Sequence, residues 1–352
     1  MIKLKTIGFF VCSNGFGHFK RSLRIAQEII KINDLVYLEL FCTKNQIDNH
    51  QNWFLFKNLN QSNKINFVIT SDNLKISYDS NISFSFDANF FESYKKKIKN
   101  YDIVLSDNLS HILKIRHDTI LIGSFLWSNA LKITDSNYYS FKKSEISLLN
   151  KYKPNMIAVR GFAMTSVKEY TNPIYIDWPV LNAKTNTIKK SLRNILVIGG
   201  GTNIINDKLS FILNKLLVNE NFNIHTSKGL SAHKSNLKHL NIFNFNENEF
   251  NKIDIIIARA GMGTLTDCVK YGIPILGISE SDNFEIKYNC EMIEKYNYGL
   301  NISNNYKNIL EIINNINNSE IYTSFQKSLK KAKKNGITQA ADYILKYNRN
   351  GQ

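Results

Sequence analysis

Short apolar runs alternate with helical periods along most of the chain. Thr6–Cys12 is a continuous apolar run, the mark of a strand covered on both faces. A glycine-containing loop follows, and Phe19–Ile32 then sets Leu23, Ala26, Ile29 and Ile30 on one helical face. Leu35–Cys42 and Phe67–Thr70 read as further strands, and Tyr94–Asn100 as a short basic helix. Ile103–Ser106 reads as a strand ending at Asp107, with Thr119–Gly123 and Met156–Val159 as two more. Strands alternating with helices predict right-handed crossovers and a parallel sheet.

Residues 165–190 interrupt this rhythm with Pro173, Pro179, Trp178 and a polar run from Asn182 to Lys190, and are read as an interdomain connection. The alternation restarts with strand Asn194–Ile198, a Gly-rich turn and helix Lys208–Val218. Strands Asn223–Thr226, Ile242–Phe245 and Asp254–Ala258 lead to a second Gly-rich turn, helix Leu265–Tyr271 and strand Ile275–Ile278. From about Asn308 the tail is helical and lysine-rich. The pattern predicts two doubly wound α/β domains in series, over 1–180 and 190–335, followed by a helix within 336–352. A length of 352 residues accommodates two such domains.

Charge adds a partner class to this outline. The 45 basic and 29 acidic residues give +16, which attracts anionic ligands: phosphorylated small molecules or an acidic membrane surface. Nucleic acid is not expected, because no nucleic-acid-binding signature is present. Cys12, Cys42, Cys268 and Cys290 form no C-x-x-C pair, and three lie in apolar runs. This is reduced, cytoplasmic usage, neither a disulfide framework nor a zinc site. The start, MIKLKTIGFFVC, mimics a signal peptide but lacks a small-residue cleavage site, so a buried first strand is expected. No apolar stretch approaches the roughly 18 residues of a membrane span.

In a doubly wound sheet, ligands bind beyond the carboxyl ends of the strands. Three segments end a strand with glycines and open a helix there: Ser13-Asn14-Gly15-Phe16-Gly17-His18, Gly199-Gly200-Gly201-Thr202 and Arg259-Ala260-Gly261-Met262-Gly263-Thr264. Such turns bring backbone N–H groups and a helix dipole to an anion. They are not dinucleotide fingerprints, since Lys20 stands where the third glycine would be, and Gly-x-x-x-x-Gly-Lys is absent. His18, at the start of a helix beyond a strand end, is suited to general-base work, and the positive helix end favours its neutral form. Asp107 follows a strand on the same edge and is a candidate to orient His18; its structural alternative is a helix N-cap. Phe125 and Trp127 follow another strand end, with core packing as one reading of both. Segment 82–99 places Phe84, Phe86, Phe90 and Phe91 before Lys95, Lys96, Lys97 and Lys99. Aromatics beside lysines suit an anionic membrane surface, the alternative being a core edge followed by a solvated helix.

Three of these segments resemble the GT-B superfamily of nucleotide-sugar glycosyltransferases. GFGHFKRSLRIAQEI is similar to its first loop and helix, and ILVIGGGTN to the start of its donor domain. IDIIIARAGMGTLTDCVKYGIPILGISESDNFEIKYNCEMIEKYNYG resembles the donor-site block shared by the peptidoglycan N-acetylglucosaminyltransferase MurG and the UDP-glycosyltransferases. The resemblance implies an α/β GT-B fold, two Rossmann-like domains facing across a cleft, and a C-terminal helix that crosses back to the N-terminal, acceptor-side domain. It implies transfer of a sugar from a UDP-sugar to a hydroxyl acceptor, and a lipid-linked acceptor would fit segment 82–99. No Asp-x-Asp motif is present, so helix N-termini and backbone amides are expected to stabilise the leaving diphosphate with no metal or other cofactor, and a base on the opposite face favours inversion. Gly200, Gly201, Thr202, Gly261, Met262, Gly263 and Thr264 would face the diphosphate, Arg259 adding charge. Asp267 would hold the ribose, Phe245 stack the base, and Glu285 and Asn289 contact the sugar. His18 would be the base, Asp107 its partner, and Gly15, Phe16, Gly17, Phe125 and Trp127 the acceptor side.

Departures from the pattern are an aspartate at position 267 where glutamate is usual, Ile286 where glutamine follows the glutamate, and a first loop unlike Gly-Gly-Thr-Gly-Gly-His. GFGH followed by Lys-Arg also resembles the sugar-nucleotide hydrolase of pseudaminic acid biosynthesis, which has the same architecture and passes the sugar to water. The SESDNFEIKYNC stretch fits transferases better. A non-catalytic subunit of the same fold is the third reading. The implied location is the cytoplasm, with a peripheral position on the inner face of the cytoplasmic membrane as an extension.

Overall fold

In the computed structural model, which describes residues 4–78, 82–182, 187–199, 205–227, 230 and 240–347, the first apolar run is strand β1 (Lys5–Val11). Ile7, Phe9, Phe10 and Val11 have no exposed surface, which is why both faces of this strand are apolar. The chain then enters helix α1 (Phe16–Ile32), whose Phe19, Leu23, Ile25, Ala26 and Ile29 are buried. Strand β2 (Val36–Thr43), helices α2 (Lys44–Asp48) and α3 (Phe54–Asn60), and strand β3 (Ile65–Thr70) follow. An antiparallel hairpin comes next, β4 (Leu74–Tyr78) and β5 (Ile82–Phe86), then helix α4 (Lys95–Asn100) and strand β6 (Ile103–Asp107). Strand β7 (Ile120–Ile122), helices α5 (Trp127–Ala130) and α6 (Ser136–Tyr152), strand β8 (Asn155–Val159), helix α7 (Thr165–Tyr170) and strand β9 (Asn172–Ile176) complete the run.

These strands form a seven-stranded sheet in the order β3-β2-β1-β6-β7-β8-β9, with every neighbouring pair parallel. The order reverses at β1, which pairs with β2 on one side and β6 on the other. That reversal is the topological switch point where open α/β sheets bind ligands. Val11 is in register with Asp107 there, so the two strands end side by side.

Two expectations for this half are corrected. Residues 165–176 are not an interdomain connection: α7 and β9 lie there, and β9 pairs with β8, Met156 opposite Pro173. Proline is tolerated because β9 is the edge strand. Phe84, Phe90 and Phe91 are buried in the core and Phe86 is half-buried against it, so segment 82–99 offers no aromatic surface. Its lysines are exposed, together with small and polar residues such as Ser85, Asp87 and Glu92.

The second unit spans Val180–Lys334. Strand β10 (Asn194–Ile198), helix α8 (Asn206–Leu217), strands β11 (Asn223–Thr226) and β12 (Leu240–Ile242), and helix α9 (Glu247–Phe250) open it. Strand β13 (Ile255–Arg259), helix α10 (Met262–Tyr271), strand β14 (Ile275–Ile278), helix α11 (Phe284–Lys295), strand β15 (Gly299–Asn301) and helices α12 (Ile309–Asn317) and α13 (Ile321–Lys331) follow. Its six parallel strands run β12-β11-β10-β13-β14-β15, with the switch between β10 and β13. The strand expected to reach Phe245 ends at Ile242. Phe245 lies beyond it, in the left-handed region at φ 54°, its ring edge-on to Phe243.

Helix α14 (Gly336–Lys346) belongs to the first unit, which comprises Met1–Pro179 and Asn335–Gln352. Lys5 Nζ donates to Leu345 O at 3.0 Å, Thr338 Oγ1 to Glu28 Oε1 at 3.0 Å, and Gly336 N to Trp178 O at 3.0 Å. No helix among the described residues is long and apolar enough to cross a membrane.

Candidate active site

The switch point of the first unit is filled by one polar cluster. Gly15, the N-cap of α1, sits at φ 89°, a conformation that glycine adopts without strain, and this turns the chain from β1 into the helix. The loop is tied down from both sides. Ser13 Oγ donates to Leu74 O at 2.6 Å, Asn73 Nδ2 to Val11 O at 2.9 Å, and Gln46 Nε2 to Cys12 O at 2.8 Å. His18, Arg21 and Ser22 follow at spacings of three and four residues, which places them on one face of α1. That face meets Asp107.

Asp107 is completely buried and accepts from four groups. Its Oδ1 lies 2.5 Å from His18 Nδ1 and accepts from Arg21 Nη2 at 2.8 Å. Its Oδ2 accepts from Arg21 Nε at 3.0 Å and lies 3.2 Å from Ser22 Oγ, which shares its one hydrogen between this oxygen and His18 O at 2.9 Å. Burial pushes this carboxyl up, but the Arg21 guanidinium and the His18 ring outweigh that and hold it below the usual carboxylate range. An ionised carboxylate only accepts, so Nδ1 of His18 is the donor in this contact. The His18 side chain is 12% exposed. Its ring is flanked by Phe125 at 6.2 Å and Trp127 at 6.1 Å between centroids. Both of these are buried, so they wall the histidine rather than present an open surface. Gly15 and Gly17 are exposed, and Phe16 is half-buried with its ring 5.4 Å from His50. Arg21 and Ser22 were visible in the sequence only as the i+3 and i+4 neighbours of His18.

The second unit carries the other candidate residues. Gly200, Gly201 and Thr202 lie outside the described residues. At the second Gly-rich turn Gly261 is the N-cap of α10, and no side chain caps this helix. The amide of Gly261 itself donates to Arg259 O at 2.8 Å, so the donors left at the helix start are those of Met262, Gly263 and Thr264. Asp267 stands half-buried one turn further along the face of Gly263 and Thr264.

Arg259 closes β13 but is not available as a bare charge: its Nε and Nη2 fork onto Glu280, at 2.9 and 2.5 Å to Oε1. Glu280 is buried and had no signal in the sequence. Asn289 is buried too, and its Nδ2 donates to Ala260 O at 2.8 Å, which commits that amide to bracing the turn. Glu285 is half-buried in the first turn of α11, whose N-cap Asn283 accepts from Ile286 N at 3.0 Å. Phe245 is 48% exposed.

Residues 194–344 match the family model described as the glycosyltransferase family 28 C-terminal domain. The chain carries a glycosyltransferase domain. No curated protein matches its sequence. Solved structures do match its fold. MurG of Acinetobacter baumannii is 15% identical with a TM-score of 0.57, over 97% of this chain and all of that one. A UDP-glucose:anthocyanidin 3-O-glucosyltransferase in complex with UDP is 11% identical, TM-score 0.65, over 97% of this chain and 95% of that one. UGT2 of Phytolacca americana, complexed with UDP-2-fluoro-glucose and pterostilbene, is 9% identical, TM-score 0.66, over 97% and 98%. With that domain and that fold, the chain is a glycosyltransferase of GT-B architecture, similar to MurG and the UDP-glycosyltransferases.

Proposed function

We propose that this glycosyltransferase is metal-independent and inverting, and moves a sugar from a UDP-sugar to a hydroxyl acceptor. The observation that carries the proposal is the His18–Asp107 pair. Asp107 orients the ring and fixes the hydrogen on Nδ1, leaving Nε2 to accept the acceptor's hydroxyl proton as its oxygen attacks C1. As the C1–O bond breaks, charge develops on the departing diphosphate. The amides at the start of α10 and the dipole of that helix suit this charge. Asp267 is assigned to the ribose hydroxyls and Phe245 to the base. Glu285 is assigned to the sugar, and Asn289 acts by holding the turn at Ala260.

The test is phosphorus NMR of the protein with a panel of sugar nucleotides, first without acceptor. A transferase binds one donor selectively and cleaves it little. Stoichiometric release of nucleotide to water would instead establish the hydrolase reading. With acceptor present, His18→Ala is expected to lower turnover by about a thousandfold with nucleotide affinity nearly intact. Unchanged turnover would remove His18 from the mechanism.

A lipid-linked acceptor and a peripheral position on the inner face of the cytoplasmic membrane extend the proposal. They rest on the +16 charge and the exposed lysines of α4. Failure to co-float with anionic liposomes at low salt would sink this extension alone.

A further inference from the structure

Arg21 is placed unusually for a residue beside a histidine base. A carboxylate with no access to water needs a positive partner, and the fold offers Asp107 two: the imidazole of His18 and the guanidinium of Arg21. Arginine is charged under all relevant conditions and binds Asp107 through both Nε and Nη2. With Arg21 in place and His18 neutral, the cluster has no net charge. A second proton on the ring would leave a net positive charge on a largely buried cluster, with Arg21 Nη2 3.3 Å from His18 Nδ1. Without Arg21, the same ring would be, among the described residues, the one group left to neutralise the carboxylate.

We propose that Arg21 is a positioning residue that acts as the standing counter-ion of Asp107, so that His18 is left in its proton-accepting form. The proposal rests on the reading of His18 as the base. Among the described residues, the other groups found against the cluster do not compete for this role. Cys12, from the end of β1, is fully buried, and burial pushes its thiol up, so it is neutral. Ser22, from α1, donates a hydroxyl. Phe125, from the loop after β7, and Trp127, from α5, present neutral rings. Lys20, on α1, acts on His50.

The experiment follows the ring C–H resonance of His18 against pH in the full-length, ligand-free chain, the signal being assigned by its loss in His18→Ala. In Arg21→Gln the bare carboxylate should raise the His18 titration midpoint by about one pH unit or more above wild type. Arg21→Lys, which keeps the charge, should restore most of the wild-type value. Asp107→Asn, which leaves the guanidinium without its counter-ion, should lower the midpoint instead. If Arg21→Gln does not fold, Arg21→Met, which keeps the length of the side chain without its charge, takes its place. An unmoved or lowered midpoint in folded Arg21→Gln, or an unmoved or raised one in Asp107→Asn, overturns the proposal. The acid limb of the transfer rate should move with the midpoint. Absence of transfer in the wild type would sink the proposed function and leave the titration result standing, so the two failures are distinguishable.

Discussion

Replacing Asn289 by Asp exchanges one NH2 for an oxygen at nearly constant shape. In the native chain the amide donates to Ala260 O at 2.8 Å, with Ala260 fully buried and Asn289 nearly so. The variant sets a carboxylate against a carbonyl oxygen in a dry place. Losing the bond and leaving the carbonyl unpaired costs about 1–3 kcal/mol. The alternative is for the new carboxyl to take up a proton and donate to Ala260 again. At pH 7, about three units above an ordinary aspartate, that costs about 4 kcal/mol.

The folded-state carboxyl is thus raised above its unfolded value, so its stability contribution is present at low pH and lost as pH rises. The less costly course prevails, and in a unit of roughly 150 residues about 1–3 kcal/mol lowers the melting temperature by about 2–12 °C. Calorimetric melts of wild type, Asn289→Asp and Asn289→Ala at pH 7, 5.5 and 4 test this. The aspartate variant's deficit should shrink toward pH 4, while the alanine variant's stays constant. Because the same bond holds the start of α10, UDP affinity should fall in parallel at pH 7. A variant melting within 2 °C of wild type at pH 7, or an equal deficit at pH 4 and 7, would refute the argument (both thresholds follow from about 2–4 °C per kcal/mol).

Asp267→Ala is expected to weaken UDP binding about tenfold by calorimetric titration, a loss of about 1.4 kcal/mol; equal affinity would mean Asp267 does not meet the ribose. A Cβ on Gly336 would lie 2.0 Å from Asp177 O, so Gly336→Ala should destabilise the first unit by more than about 2 kcal/mol. Unchanged thermal melting would show that α14 docks less closely. Burial lowers His50 to about 4 and His111 to about 3, so both are neutral in the folded chain where the unfolded chain takes up protons below about 6.5. Their contribution is present above that value and lost as pH falls toward 4 and 3. The urea midpoint should therefore drop between pH 7 and 4, and drop less in His111→Phe; a midpoint flat across that range would contradict the burial argument.

Where hydrophobic pattern and burial coincide, the sequence was a reliable guide. The strand Asn194–Ile198 and its counterparts Asn223–Thr226 and Ile275–Ile278 have the boundaries that pattern predicts. Helix α6 escaped because its inward stripe, Tyr138, Phe141 and Leu149, is broken by Glu145. That glutamate is buried because Ser110 Oγ and Ser128 N both donate to it at 2.6 Å, a satisfaction supplied by distant segments. Strand β9 escaped because Pro173 reads as a linker residue, although an edge strand tolerates it. At the site, His18 and Asp107 stood out because each follows a strand end. Glu280 did not, since nothing in a lone glutamate reveals a partner twenty-one residues away. The bond from Asn289 to Ala260 O was not legible either, because which partner a side-chain amide takes is set by packing, not by position in a motif.

The docking of α14 on the first unit has a consequence for how the chain is made. The first unit is discontinuous: the segment Val180–Lys334 is threaded into it as an insertion. On a ribosome the inserted unit has all its own strands before the enclosing unit receives its last helix. Until then the Glu28 carboxylate and the Lys5 ammonium lack the α14 partners they meet in the finished chain. Removing residues after Lys334 would therefore damage the beginning of the protein rather than its end, and limited proteolysis of such a truncation should cut first near α1.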